Sequence, residues 1–210
     1  MTWNEDRDYY YEQEAAKEEF IEEISNQAIK EFSSDLLRSF YEKNPNIMRP
    51  AVEALQEGKE LYRLKHYSAS LVFFMTSIEL LLKVTVLKPV VYGLVHQEAL
   101  AEIIVQQVLS QTGFDRHEKL LGALLSIFTK LELKKIIRDK SPDALFKECR
   151  DLQSIRNKII HQGISCGECD AEKARKVAVA VYELIVLPMI GALNLKVIER
   201  GEIKPTSYMG

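Results

Sequence analysis

In the stretch "SIRNKIIHQG", residues 154–163, Arg156, Asn157 and His161 stand at the end of an apolar helical run, just ahead of Gly163. The chain has four histidines in 210 residues, and packing does not call for one at this place. A histidine titrates near neutrality and can take a proton from a hydroxyl. An arginine fork holds a phosphate and stabilises negative charge that builds in a transition state. An asparagine can orient either. RNA carries its own nucleophile, the 2′-hydroxyl, so a base, a cation and alignment suffice to cleave it without a metal. The residues leave a second account open, in which His161 complements a helix C-terminal dipole and Arg156 pairs with a nearby acid.

Leu145, Cys149, Leu152, Ile155 and Ile159 recur at steps of three and four and predict the buried stripe of one helix. Ser141 followed by Pro142 marks its start, and Gly163 its end after His161 or Gln162. Asn157 and His161 are four apart and stack one turn from each other. Arg156 and His161 are five apart and diverge by about 140° on an ideal helix. Either the last turn frays, or two copies of the helix face each other and each gives an arginine and a histidine to a shared cleft. Lys158 and Arg150, on the same helix, are candidate RNA contacts. Residues 134–158 hold eight bases against four acids, a local basic bias in a chain of net charge −3. A solvated helix face gives the same bias.

The rest of the chain must position that helix. Apolar content is 47%, with 9 glycines and 6 prolines, which suits a helical core and not a turn-rich sandwich. The spacing predicts a long acidic helix over 5–43, a break at 43–50 and a second helix over 50–65. A third, over 69–87, is so apolar that it must be central; Ser68 or Ser70 caps it and "KPVVYG", 88–93, ends it. Glu79 inside that helix needs a partner or a wet cleft, and Lys83, four residues on, supplies the simplest ion pair. Helices follow over 96–113 and 115–128, the latter with Asp115 and Glu118 spaced as a capping box. His96 and His117 read as helix-surface or interface residues. A last helix, about 171–199, is capped by Asp170, and no strand pattern is visible.

Cys149, Cys166 and Cys169 are an odd set with an acidic, polar N-terminus, which predicts a reducing, cytoplasmic setting. Cys166, Cys169 and His161 have the makings of a zinc site, but a loop with two idle thiols is the better expectation, so neither metal nor cofactor is predicted. Segment 177–195 is nearly long enough to span a membrane, yet reads equally as a core helix and is taken as one, with no membrane partner. The expected architecture is an all-α helical bundle: an acidic N-terminal extension over 1–45, the main domain over 46–200 and a polar tail over 201–210.

"DLQSIRNKIIHQG" resembles the signature of the HEPN family of helical nucleases and nucleotide-binding domains: arginine, a polar residue that is often asparagine, three further residues, then histidine. "LQEGKELYRLKHYSASLVFFMTSIELLLKV", 55–84, is similar to the family's earlier helical pair, with Glu79 where that pair carries an acid. The resemblance covers about 50–200 and leaves the acidic first helix aside. It implies metal-independent RNA cleavage by a homodimer whose two motifs line one cleft. His161 would be the base or acid, Arg156 the phosphate ligand, Asn157 the orienter and Glu79 a supporting acid. It implies a toxin or antiviral effector with an antitoxin or other regulatory protein as partner. The family also contains non-catalytic modules that bind a nucleotide or a protein. Some members are silenced through a tyrosine two places after the histidine; here that place is Gly163.

Overall fold

The computed structural model describes residues 33–95, 98–109 and 115–206. Helix α2 (Arg49–Arg63) and helix α3 (Tyr67–Leu80) form its closest pair. On α2, Ala51, Ala54 and Gly58 are buried at steps of three and four, so the face turned to α3 has almost no side chain. At Gly58 the approach is so tight that a Cβ would lie 2.7 Å from the ring of Phe74. The serines of α3 use the exposed backbone: Ser70 Oγ donates to Gly58 O and Ser77 Oγ to Ala51 O, both at 2.8 Å. The two bonds are seven residues apart on each helix and run in opposite order, so they fix an antiparallel register. Neither Ser68 nor Ser70 caps α3; His66 occupies the cap position without a side-chain bond.

The apolar helix is central, as its composition predicts. Leu71, Phe74, Met75, Ile78, Leu81, Leu82 and Val86 are buried, and α3 also packs on α7 and α8. It does not end at 88–93, however. Leu81–Leu87 winds as a π-helix and α4 (Lys88–Leu94) continues the rod through Pro89. In an α-helix the N–H of residue 89 would serve the Thr85 carbonyl, and proline has none. Here the hydroxyl of Tyr41 donates to Thr85 O at 2.5 Å. Tyr41 lies on α1, the helical stretch 33–43, and is fully buried together with Leu37. Burial pushes its phenol well above the ordinary range, so it remains a donor. The apolar spacing expected to form a helix before residue 33 concerns positions outside the described residues. The rod Tyr67–Gly93 is long and apolar enough to cross a membrane by length and composition, but 61% of its apolar window is buried inside the protein.

Helices α5 (Glu98–Leu109) and α6 (Asp115–Thr129) follow, and α6 buries Leu121, Leu124 and Leu125. His117, expected on a helix surface or at an interface, is 2% exposed. A 3₁₀ turn, Leu133–Lys135, leads to α7 (Leu145–Gln162). That helix starts three residues later than Ser141-Pro142 suggests. Ser141 Oγ instead accepts from Asp143 N at 3.2 Å, and the Leu145 N–H goes to Ile136 O at 2.8 Å, so 141–144 is a turn.

Helix α8 (Glu168–Val181) begins at the cap residue Gly167, with Asp170 in its first turn, where a carboxylate favours the dipole. It too passes a proline by way of a π segment, Tyr182–Val186, before α9 (Leu187–Ala192) with Pro188 in its first turn. The rod stops well short of 199 because Asn194 turns left-handed, at φ 57°. Strand β1 (Leu195–Val197) then pairs antiparallel with β2 (Ile203–Pro205), a small hairpin that the sequence reading missed. The molecule is therefore mostly helical, and Leu37, Tyr41 and Ile203 share one core with the central helices.

Two substitutions test this packing. Gly58→Ala gains about 1 kcal/mol of helix propensity but drives a methyl into a buried ring, a fault worth about 1–3 kcal/mol, so the urea midpoint is expected to fall. Tyr41→Phe removes the buried hydrogen bond to the Thr85 carbonyl and is expected to cost about 0.5–1.5 kcal/mol. A phenylalanine variant that unfolds like the parent would mean that this carbonyl needs no donor.

Candidate functional site

Helix α7 is held by its apolar stripe: Leu145, Cys149 and Leu152 are buried, and Ile155 and Ile159 pack against the core from half-buried positions. Burial pushes the Cys149 thiol up to about 12, so it is neither a nucleophile nor a ready metal ligand. At the start of the helix, Glu148 is 2% exposed and accepts two bonds of 2.8 Å from Arg138, with Lys173 at 3.9 Å. This fork ties the 133–140 connection and α8 to the foot of α7. At the other end Gly163, at φ 67°, closes the helix in the left-handed conformation. The chain then crosses to α3, where Ser68 Oγ accepts from Cys166 N at 2.9 Å. Since α3 begins where α7 has just ended, the two helices run antiparallel.

Asn157 and His161 open together onto one groove of about 410 Å³. Arg150, Gln153, Ser154 and Lys158 line it with them. His161 and Lys158 are exposed. Arg150 reaches across to Glu118 on α6 at 3.3 Å. Arg156 does not line this groove. It is half-buried, its Nε is buried without a hydrogen-bond partner, and its Nη1 donates to Asn157 Oδ1 at 3.3 Å. The expected divergence of Arg156 from His161 is thus present, and Asn157 is the link between them.

Glu79 sits half-buried near the end of α3, and its Oε1 is buried with no partner. No bond joins it to Arg156 or to Lys83 among the described residues. The antiparallel register, counted from the Ser68–Cys166 contact, brings the middle of α7 alongside the end of α3 that carries Glu79. Two polar atoms of opposite sign, Glu79 Oε1 and Arg156 Nε, are therefore left unsatisfied on neighbouring helices.

Among the described residues, no group of three or more His, Cys, Asp or Glu side chains is placed to hold a metal ion. Cys169 is exposed on the first turn of α8, and burial pushes the half-buried Cys166 thiol up.

The groove contains residues that motif reading passed over, namely Gln153, Ser154 and Gln162. A signal for Ser154 exists: positions 150, 154, 157 and 161 are polar at helical spacing and form the stripe opposite the apolar one. In comparisons with known proteins, no family model, no curated protein and no solved structure matches the chain.

The buried carboxylate of Glu148 and the half-buried one of Glu79 differ in kind and predict opposite outcomes. Glu148→Gln weakens a saturated buried pair and is expected to cost on the order of 3 kcal/mol or more. Glu79→Met removes an unsatisfied oxygen, and calorimetric melting is expected to show an unchanged or more stable protein. A large loss at Glu79 would mean that its carboxylate is bonded.

Proposed function

We propose that this protein is a metal-independent endoribonuclease of HEPN type, working in the cytoplasm as a toxin or antiviral effector. The observation that carries the reading is the arrangement on the last turns of α7. An exposed His161 and Asn157 share a groove with Arg150 and Lys158, and Asn157 is bonded to an arginine whose guanidinium is otherwise under-used. In this scheme the RNA backbone lies along the polar stripe, with Lys158 and Arg150 on flanking phosphates. His161 takes the proton of the 2′-hydroxyl. The 2′-oxygen bonds to the adjacent phosphorus, the bond from phosphorus to the 5′-oxygen breaks, and that oxygen takes a proton from water or from a second histidine. Arg156 neutralises the charged phosphoryl oxygens, and Glu79, not bonded to Arg156 in the free chain, is the acid that would support it once RNA is bound.

Because Arg156 leaves α7 on a different side from His161, one chain offers only part of this constellation. A homodimer with its α7 helices near the axis supplies the rest, each copy giving an arginine to the other's groove. The partner that restrains such an enzyme is an antitoxin or another regulatory protein.

The turning away of Arg156 from the groove also favours a second reading. In it, α7 belongs to a non-catalytic HEPN-like module that binds a partner protein or a nucleotide.

Incubation of the purified chain with mixed RNA in EDTA separates the two readings. The enzyme is expected to yield 2′,3′-cyclic phosphate and 5′-hydroxyl ends and to leave 2′-methoxy RNA intact. His161→Ala is expected to lose about 10²–10⁴-fold in rate while still binding RNA. Arg156→Lys also fails, since an ammonium lacks the planar fork. Glu79→Gln is expected to lower the rate with little change in stability. Cleavage undiminished by His161→Ala, or efficient cutting of DNA, would replace this reading by the second one.

A further inference from the structure

A cavity of about 220 Å³ lies between α2, α3, Tyr182 and the β1–β2 hairpin. Val52 and Leu55 of α2, Leu81 just past α3, and Val197 and Ile198 of the hairpin wall it with aliphatic carbon. Its polar groups are few. Ser77 lines it, but the Ser77 hydroxyl is already spent on Ala51 O. Burial, and then the Glu183 carboxylate, push the Tyr182 phenol up, so that group stays neutral. Arg200, exposed at the mouth, carries the one charge among the described residues that line the cavity. The backbone holds Arg200 there. Arg200 and Gly201 are both left-handed, at φ 57° and 78°, and a Cβ on Gly201 would lie 2.7 Å from Val52 Cγ2. The hairpin tip is thus pressed onto α2, with Arg200 beside the opening. Leu81 and Tyr182 are the first residues of the two π segments, and such segments recur at functional sites.

Aliphatic walls with a guanidinium at the mouth select a ligand with an apolar body and an anionic head. A cavity of about 150 Å³ takes one six-carbon ring, so this one takes an unbranched chain of about eight carbons. We propose that the cavity binds a medium-chain aliphatic carboxylate. The chain packs among Val52, Leu55, Leu81 and Ile198, and the head group lies on the Arg200 fork. The site is distinct from the α7 groove, with which it shares no lining residue. Ser77 and Leu81 are four apart and share one face of the helix, whereas Glu79, midway between them, falls on the other. The proposal therefore stands whether or not the chain cleaves RNA.

The test is calorimetric titration of the full chain with octanoate, beside hexanoate, dodecanoate, octanol and octylammonium. Octanoate is expected to bind saturably at one site. Hexanoate is expected to bind about tenfold more weakly, since each buried methylene is worth about a fourfold change. Dodecanoate gains no such increment per methylene, because its chain outruns the cavity. Octanol lacks the charge and octylammonium reverses it, so each is expected to bind at least about tenfold more weakly than octanoate. Arg200→Gln alters an exposed side chain and is expected to weaken octanoate binding by at least about tenfold, with melting unchanged. Lys204→Gln removes a charge from the same hairpin outside the cavity, and it is expected to bind octanoate like the parent, as is His161→Ala. Absence of saturable octanoate binding up to millimolar concentration would overturn the proposal. So would octanol binding as tightly as octanoate, or a gain per methylene that continues undiminished to dodecanoate. Binding that survives Arg200→Gln, or that is lost with Lys204→Gln or His161→Ala, would overturn it as well.

Discussion

The fold depends on how closely α2 approaches α3. Ala51, Ala54 and Gly58 strip one face of α2 to its backbone, and Ser70 and Ser77 hydrogen-bond to that backbone from the facing helix. The contact does two things that apolar packing alone does not. It satisfies two buried hydroxyls, and it sets the register of the pair, because each serine donates to a particular carbonyl of α2. With α3 fixed in this way, its other faces are left to receive α7 and α8. The position of the candidate groove is thus inherited from a contact that contributes no atom to it.

A second constraint acts along the rods. Two of the long helices carry a proline in their interior, and in both a π segment ends just before the Lys-Pro or Leu-Pro step. Widening the helix there avoids the clash and the missing hydrogen bond that would otherwise kink it. In the first rod the remedy recruits Tyr41 from α1. That bond joins the stretch before residue 46 to the centre of the molecule, and Phe40, the next residue back, packs against Tyr92 of α4. A local backbone problem in one helix thereby decides where another helix docks.

These two devices also explain what the sequence made legible. The apolar run of α3, the stripe on α7 and the Gly163 stop are periodic or conformational signals carried by single segments, and each could be read directly. The continuation through Pro89 could not, because proline normally ends a helix and the compensation comes from Tyr41, forty-four residues away. The hairpin was hidden for a similar reason. Its strands are three residues each, too short for alternation to show, and Ile203 is fixed by donating its N–H to Pro45 O and by burial in the core. At the site, Arg156, Asn157 and His161 are placed by simple helical geometry, and their divergence follows from spacing. The unpaired state of Glu79 does not follow, since the four-residue spacing to Lys83 suggested an ion pair.

Glu79 and Arg156 have the most to say about how such a site would work. A buried carboxylate oxygen and a buried guanidinium nitrogen, each without a partner, cost stability that an apolar pair would not. An arginine already locked to a carboxylate would have little left to offer a phosphate. One without such a bond retains its hydrogen-bonding capacity, and its side-chain partner here is Asn157. On the proposed reading, arrival of a phosphate, or of a second α7, draws the guanidinium toward the groove. The energy of the new bonds then offsets a cost the unliganded protein already bears. The same physics accommodates the binding-module reading with a different guest, and the two part company only at His161, which a binding site could lose and a nuclease could not.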